Sequence, residues 1–110
     1  MKILAIFRAK IGVSMSQVLP HIAEEERMAW AKYLTGELRE TYLTSQPGVV
    51  LDMFEAPSVA ELQQEMLALP LMRAGLLEAT YYDLLPFKNW ESLFAEANKT
   101  LVGSAQDSSV

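Results

Sequence analysis

The chain opens with a short apolar run that predicts a β-strand. Residues Lys2 to Arg8 read Lys-Ile-Leu-Ala-Ile-Phe-Arg, and Gly12 lies shortly beyond them. A run of this length near a turn residue is typical of a strand, whereas a membrane span needs about 20 apolar residues. We therefore take this run as the first strand of a sheet.

A long helix is predicted next, because apolar residues then recur at helical spacing. Ser16 is a suitable N-cap and would place Pro20 in or near the first turn, and a start at Pro20 itself is the alternative. Gly36 ends the helix, as glycine commonly does. The apolar stripe that we expect to be buried consists of Ile22, Ala23, Trp30, Tyr33 and Leu34.

A β-hairpin follows the helix. Leu38 to Thr44 mixes aromatic, β-branched and polar residues in the manner of an edge strand, and Ser45-Gln46-Pro47-Gly48 is a turn signal. Gly48 to Phe54 is then the returning strand.

The last third of the chain predicts a helix, a strand and a short second helix. Ser58 and Glu61 form the sequence of a capping box, and the helix they begin ends at Leu69-Pro70-Leu71. Leu76 to Leu85 reads as a strand that Pro86 halts. A short helix is expected at about 89–98.

The order of these elements is β-α-β-β-α-β. Right-handed crossovers satisfy this order with an antiparallel four-stranded sheet and two helices on one face, an α+β sandwich of the ferredoxin-like kind. We expect one domain over residues 1–102 and a flexible polar tail over 103–110.

Both faces of the predicted sheet are apolar, which is unusual when helices cover only one. On the first strand Ile3, Ala5 and Phe7 point to one side, while Leu4 and Ile6 point to the other. A sheet face open to water should carry polar residues, and an uncovered apolar patch usually marks a partner surface. We therefore expect a homodimer that forms through the open face.

Composition and charge narrow the classes of partner and cofactor. The chain has 110 residues, no cysteine and one histidine, and its net charge is -5. Scattered basic residues and a negative charge argue against nucleic acid, and no run is long enough for a membrane. Without cysteine we expect a cytoplasmic protein, and a single histidine cannot build a transition-metal site, so no metal is expected. No Gly-rich phosphate loop is present either, and we expect no other cofactor.

Three short segments resemble a known family. Ala56-Pro57-Ser58-Val59 before the second helix, Leu69-Pro70-Leu71 after it, and Pro86-Phe87 after the last strand are similar to the muconolactone isomerase-like branch of the dimeric α+β barrel superfamily. The resemblance implies a homodimer whose two sheets form a barrel, with a small pocket beside each sheet. Its members include an isomerase, cofactor-free monooxygenases and polyketide cyclases. The N-terminal half departs from the isomerase, so no catalytic residue is carried over.

Three residues are candidates for catalysis. His21 titrates near neutral pH and could act as an acid or base, although an exposed histidine in the first helical turn is the simpler interpretation. Arg8 ends an apolar strand and would need an anion if it points inward, either a substrate or Asp52. Tyr42 could donate its hydroxyl to a ligand oxygen, but such tyrosines are more often core or interface residues.

Four further residues are candidates for ligand binding: Arg39, Asp52, Met53 and Tyr82. If the hairpin loop is even-numbered, Arg39, Thr41 and Asp52 share one face of the sheet. An Arg–Asp pair there is most often structural, and its functional version is a clamp for a small acid. The three successive glutamates at 24–26 splay by about 100° each and are expected to be solvated.

The function that these residues indicate is proton transfer on a small apolar, carbonyl-bearing metabolite. His21 or a carboxylate would be the base, and Tyr42 or Arg8 would polarise an oxygen. A cofactor-free monooxygenase-like reaction belongs to the same interpretation. The alternative is a non-catalytic ligand-binding or structural homodimer.

Overall fold

The computed structural model describes residues 1–99, and a four-stranded antiparallel sheet is its central element. The strands are β1 (Lys2–Ala9), β2 (Leu38–Leu43), β3 (Val49–Glu55) and β4 (Leu77–Asp83). They lie in the order β2-β3-β1-β4, so the N-terminal strand is central and the hairpin occupies one edge. The predicted α+β class is confirmed, and the sheet is compatible with a ferredoxin-like fold.

The helices are α1 (Met15–Thr35), α2 (Val59–Met66), α3 (Pro70–Arg73) and α4 (Glu91–Lys99), and a 3-10 turn at Lys88–Trp90 precedes α4. The sequence predicts α4 to within a few residues but misses α3. Pro70 is the first residue of α3. Proline is tolerated at this position because the N–H that it lacks would have no partner there. The expected tail at 103–110 lies outside the described residues.

The ends of α1 correct one prediction and confirm another. Ser14, not Ser16, is the N-cap, and its N–H donates to Oε1 of Gln17 at 2.8 Å. Pro20 consequently lies inside the helix rather than in its first turn. Gly36 ends the helix as predicted, with a φ of 84° in the left-handed region that favours glycine.

The predicted cap of α2 is confirmed. The N–H of Glu61 donates to Oγ of Ser58 at 3.1 Å, which satisfies one of the unpaired donors of the first turn. This cap fixes where α2 begins, and the buried side chains of Leu62 and Met66 then face the sheet.

The core lies between the helices and one face of the sheet. Ile3, Ala5 and Phe7 of β1 are buried there, as the alternation predicts, and Phe54 is paired with Ile3 on the same face. Side chains from α1, α2 and α3 all pack against this cluster, so the helices cover one face.

The predicted buried stripe of α1 is wrong except at Ile22, which is half-buried. Trp30, Tyr33 and Leu34 are exposed, Ala23 is exposed as well, and no residue of α1 is fully buried. Met28 and Ala29 are the α1 residues that pack against the core cluster. The helix rests mainly on α3 and β2, and it therefore does not press its full length onto the central strands.

The helices that pack on the core all lie on one face of the sheet, and the centre of the opposite face is mainly apolar, with Thr80 and Glu40 as polar residues that point to the same side. We call this opposite face the open face. It is formed at the centre by Leu4, Ile6, Val49, Leu51, Met53, Tyr42 and Tyr82, and at the ends by the pairs Lys2–Glu55 and Arg8–Glu78. Tyr42 and Tyr82 are each about half exposed.

Within residues 1–99, no helix is both long enough and apolar enough to cross a bilayer.

The described core predicts that alanine substitutions at two adjacent positions, at the end of α2, change the free energy of unfolding by very different amounts. Met66 is fully buried, whereas Leu67 is half exposed. We expect Met66→Ala to lower the free energy of unfolding by about 2–5 kcal/mol and Leu67→Ala by less than about 1 kcal/mol, because only the first leaves a cavity. Urea unfolding of both variants measures this, and equal losses would contradict the described core.

Candidate functional site

A cavity of about 550 Å³ lies between α1 and the helix-covered face of the sheet. This volume is within the usual range for small-molecule sites. Its walls are mainly apolar and include Phe7, Val18, Ile22, Leu38, Val50, Phe54, Met66, Leu69, Leu71 and Leu77. We call it the α1 cavity.

The α1 cavity exists because of the residues that α1 turns toward the sheet. They recur at helical spacing, namely Val18, Ile22, Glu25, Ala29 and Lys32. Two of the five are charged and one is small, so this stripe cannot fill the space above the central strands. The helix stands off and leaves room for a ligand.

Asp52 lies in the middle of β3 and faces the α1 cavity. The register pairs it with Ala5 on one side and Thr41 on the other, and both of these residues lie on the helix-covered face. Its Oδ1 atom is shielded from solvent and has no hydrogen-bond partner among the described residues. A buried polar atom without a partner is rare and costly, and such atoms are often functional.

Burial raises the pKa of Asp52 above its ordinary value. The Thr41 hydroxyl lowers it in part, and the negative charge of Glu26 raises it further. An apolar cavity disfavours the charged carboxylate and makes it a stronger base once it has ionised. Asp52 is therefore suited to exchanging a proton with a ligand.

Glu25 is a second carboxylate in the α1 cavity, but one of its oxygens is already occupied. Its Oε1 accepts the backbone N–H of Leu71 at 2.9 Å, which ties α1 to the first turn of α3. Burial raises the pKa of Glu25, the bond from Leu71 lowers it, and the nearby charges of Glu26 and Asp52 raise it again. The residue therefore supports the structure and also contributes negative charge to the cavity.

Lys32 is the cationic side chain in the described lining, and it is held by two acids. Its Nζ lies 3.5 Å from Oε2 of Glu37 and 3.7 Å from Oε1 of Glu65. The side chain is 19% exposed, so it lies partly under the protein surface. Its charge is already balanced before any ligand enters.

We define the mouth of the α1 cavity as the part of its lining that is most exposed to solvent. Met15 and Leu43 line it, and both are largely exposed to solvent. Gly48, an exposed lining residue of the β2–β3 turn, has a φ of 77°, and its carbonyl accepts the N–H of Ala9 at 2.9 Å. A Cβ at this glycine would lie 3.2 Å from Cβ of Ala9, which is tighter than ordinary contact.

Of the seven residues that the sequence selects, Asp52 is the one that lines the α1 cavity. Arg8, Met53, Tyr42 and Tyr82 lie on the open face. Arg8 therefore does not pair with Asp52, since the two side chains leave the sheet on opposite sides.

Arg39 and Tyr42 have local partners on the edge strand β2. Arg39 lies at a β-bulge, and its Nε donates to the carbonyl of Gly36. The Tyr42 hydroxyl donates to Oε1 of Glu40 at 2.5 Å, and this bond raises the pKa of Tyr42. The even-numbered register is confirmed for Thr41 and Asp52, but no ion pair joins Arg39 to Asp52 within the described part of the chain.

His21 is half-buried on α1, one turn before Glu25, and it is not among the residues that line the α1 cavity. A positive charge on His21 lowers the pKa of Glu25. The sequence missed Glu25 because it lies among three glutamates that were expected to be solvated. The sequence feature that could have identified Glu25 is its position in the helical stripe formed by Val18, Ile22 and Ala29.

The described residues hold no group of three histidine, aspartate or glutamate side chains placed to bind a metal ion.

The buried carboxylate predicts that removing its charge stabilises the protein. Because the pKa of Asp52 is raised on folding, its contribution to stability is fully present below the unfolded pKa and is lost as pH rises through the folded pKa. We expect Asp52→Asn to raise the free energy of unfolding at about pH 7 by about 1 kcal/mol, and this gain to shrink toward about pH 4.

Urea unfolding at several pH values measures this gain, and the exposed Asp83, changed to Asn, is the control. A loss of stability at neutral pH in Asp52→Asn would mean that the carboxylate is well solvated or paired.

A scan of the chain against protein-family models and a search of curated proteins return no match. What the α1 cavity can do is therefore inferred from its own residues.

Proposed function

We propose that the protein binds a small apolar molecule in the α1 cavity and transfers a proton to or from it through Asp52. The observation that carries this proposal is the unpartnered Oδ1 of Asp52 inside an apolar cavity of about 550 Å³. Natural proteins usually keep such a costly group only where it has a use.

The reaction would be an isomerisation of a carbonyl compound. Asp52 as a carboxylate removes a proton from the carbon next to the carbonyl, and the electron pair of the broken C–H bond moves toward the carbonyl oxygen. Return of the proton to another carbon of the conjugated system restores the carboxylate. The step consumes no oxidant and no second substrate.

Of the bases first considered, His21 or a carboxylate, the carboxylate of Asp52 is the one that lies in the α1 cavity, and the groups considered for polarising an oxygen do not line it. His21 does not line the α1 cavity, and Arg8 and Tyr42 lie on the other side of the sheet. Thr41 is directly opposite Asp52 on the neighbouring strand, where its hydroxyl can orient the carboxyl group. We assign proton transfer to Asp52 and positioning to Thr41.

We also propose a homodimer in which two open faces pack together, as in a dimeric α+β barrel of the muconolactone isomerase-like kind. The apolar centre and charged ends of the open face support this, because a partner-binding surface typically has an apolar core and a polar rim. A two-fold contact lets one surface serve both chains.

A non-catalytic ligand-binding protein is the second candidate. The observation that favours it is that Glu25 and Lys32 both have partners, and Asp52 is the acid in the described lining whose shielded oxygen has none. One anchoring group is enough for binding, whereas many acid–base enzymes use two.

Proton transfer predicts opposite results for two variants. With a panel of small uncharged ketones and lactones in D₂O, we expect Asp52→Asn to slow deuterium incorporation next to the carbonyl by about a hundredfold or more, because the base is lost. His21→Gln should stay within about threefold of the natural protein. NMR of the ligands measures both rates.

Retained exchange in Asp52→Asn would contradict the assignment of the base. Binding of these ligands with no exchange above the rate in buffer would favour the non-catalytic candidate.

The dimer predicts a particle of two 12.3 kDa chains, about 25 kDa, in analytical ultracentrifugation at micromolar concentration. Leu51→Glu places a charge at the centre of the open face and should give the monomer. Leu67→Glu, at the half-exposed residue that follows α2, is the control and should remain dimeric. A natural protein that sediments as a monomer would contradict the proposal.

A further inference from the structure

The charged groups of the α1 cavity are mostly of one sign. Glu25, Glu26 and Asp52 line it with carboxyl groups, and Lys32 is the one basic residue in the described lining. The carboxyl groups come from two separate elements, α1 and β3, so they face the space from both sides.

The single cation offers little to an anionic ligand. Lys32 already lies within 4 Å of carboxylate oxygens of Glu37 and Glu65, which belong to the residues beyond α1 and to α2. An anion that recruited Lys32 would have to break these contacts and leave two acids without their partner. Such a replacement carries a desolvation cost and does not increase the number of ion pairs that Lys32 makes.

Apart from Ser14, Thr41 and Gly48, the rest of the described lining is apolar, and it would remove water from any ligand that enters. A carboxylate transferred to such a place loses its hydration and needs a paired cation in return. In the α1 cavity it would instead meet the unpartnered Oδ1 of Asp52. A neutral carbonyl oxygen avoids both costs.

We propose that the α1 cavity selects uncharged apolar molecules that carry one hydrogen-bonding oxygen, and that it rejects carboxylates of the same shape. This inference rests on the proposed function and names the substrate class of that site. The carbon next to the ketone, ester or lactone carbonyl lies toward Asp52, and the hydrocarbon part lies against the apolar walls. The exposed Met15 and Leu43 at the mouth present an apolar path to the same kind of molecule.

The test compares two probes of matched shape, 2-acetonaphthone and 2-naphthoate, at neutral pH. Protein-observed NMR titration gives both dissociation constants and shows whether the shifted residues line the α1 cavity. We expect the ketone to bind at least about tenfold more tightly than the acid, because only the acid brings a like charge to Asp52 and Glu25.

Two charge-neutralising variants on the same helix provide the matched comparison. Glu25→Gln keeps an oxygen that can accept the N–H of Leu71 but removes the negative charge, so the preference for the ketone should fall several-fold. Glu24 pairs with Arg27 on the solvent side and does not line the cavity, so Glu24→Gln should leave the preference unchanged.

Equal affinity for the two probes, or tighter binding of the acid, would overturn the inference, and so would the absence of binding by either probe. These results are separate from those on catalysis. Preferential ketone binding without proton exchange would sink the proposed reaction and keep the charge selection. Catalysis of proton exchange on carboxylic acids as well as on ketones would support the proposed reaction and contradict the charge selection.

Discussion

The pairing of β1 between β3 and β4 is the constraint on which the rest of the structure depends. It fixes the side of the sheet to which every strand residue points, since neighbours across a ladder share a face. A shift of one residue would move Asp52 from the α1 cavity to the open face and bring Met53 into the core. The same register therefore defines both the polar group of the cavity and the apolar surface opposite it.

The helix-covered face is not packed to the same degree everywhere. Around Ile3, Leu62 and Met66 the side chains are fully buried, and α2 provides the cover. Along α1 the charged Glu25 and Lys32 replace residues that would fill the space. The protein thus combines a closely packed half, which holds β3 in place, with a less closely packed half that can admit a ligand. This arrangement is common at binding sites.

The sequence predicted the features that depend on local chemistry. The strands, the cap at Ser58 and the end of α1 at Gly36 follow from a few neighbouring residues, and the structure has them. The alternation along β1 also separated the two faces correctly, although it could not say which one the helices cover.

The orientation of α1 could not be read in the same way. Trp30 and Tyr33 look like core residues by composition, yet they stack on each other at 5.5 Å on the protein surface. The rotation of the helix is set instead by its contact with α3, including the bond from Leu71 to Glu25. This contact joins residues 46 positions apart, and no local pattern encodes it. Asp52 was selected as a possible partner of Arg8 or Arg39, whereas Glu25 was hidden among its acidic neighbours.

The close approach of Gly48 to Ala9 has a consequence for how a molecule enters the cavity. The hairpin turn and the end of β1 are already at contact distance and joined by a backbone hydrogen bond. This side of the entrance is therefore expected to keep a fixed position. Any widening of the entrance has to come from the facing side, where the first turn of α1 carries Met15 and no residue is fully buried.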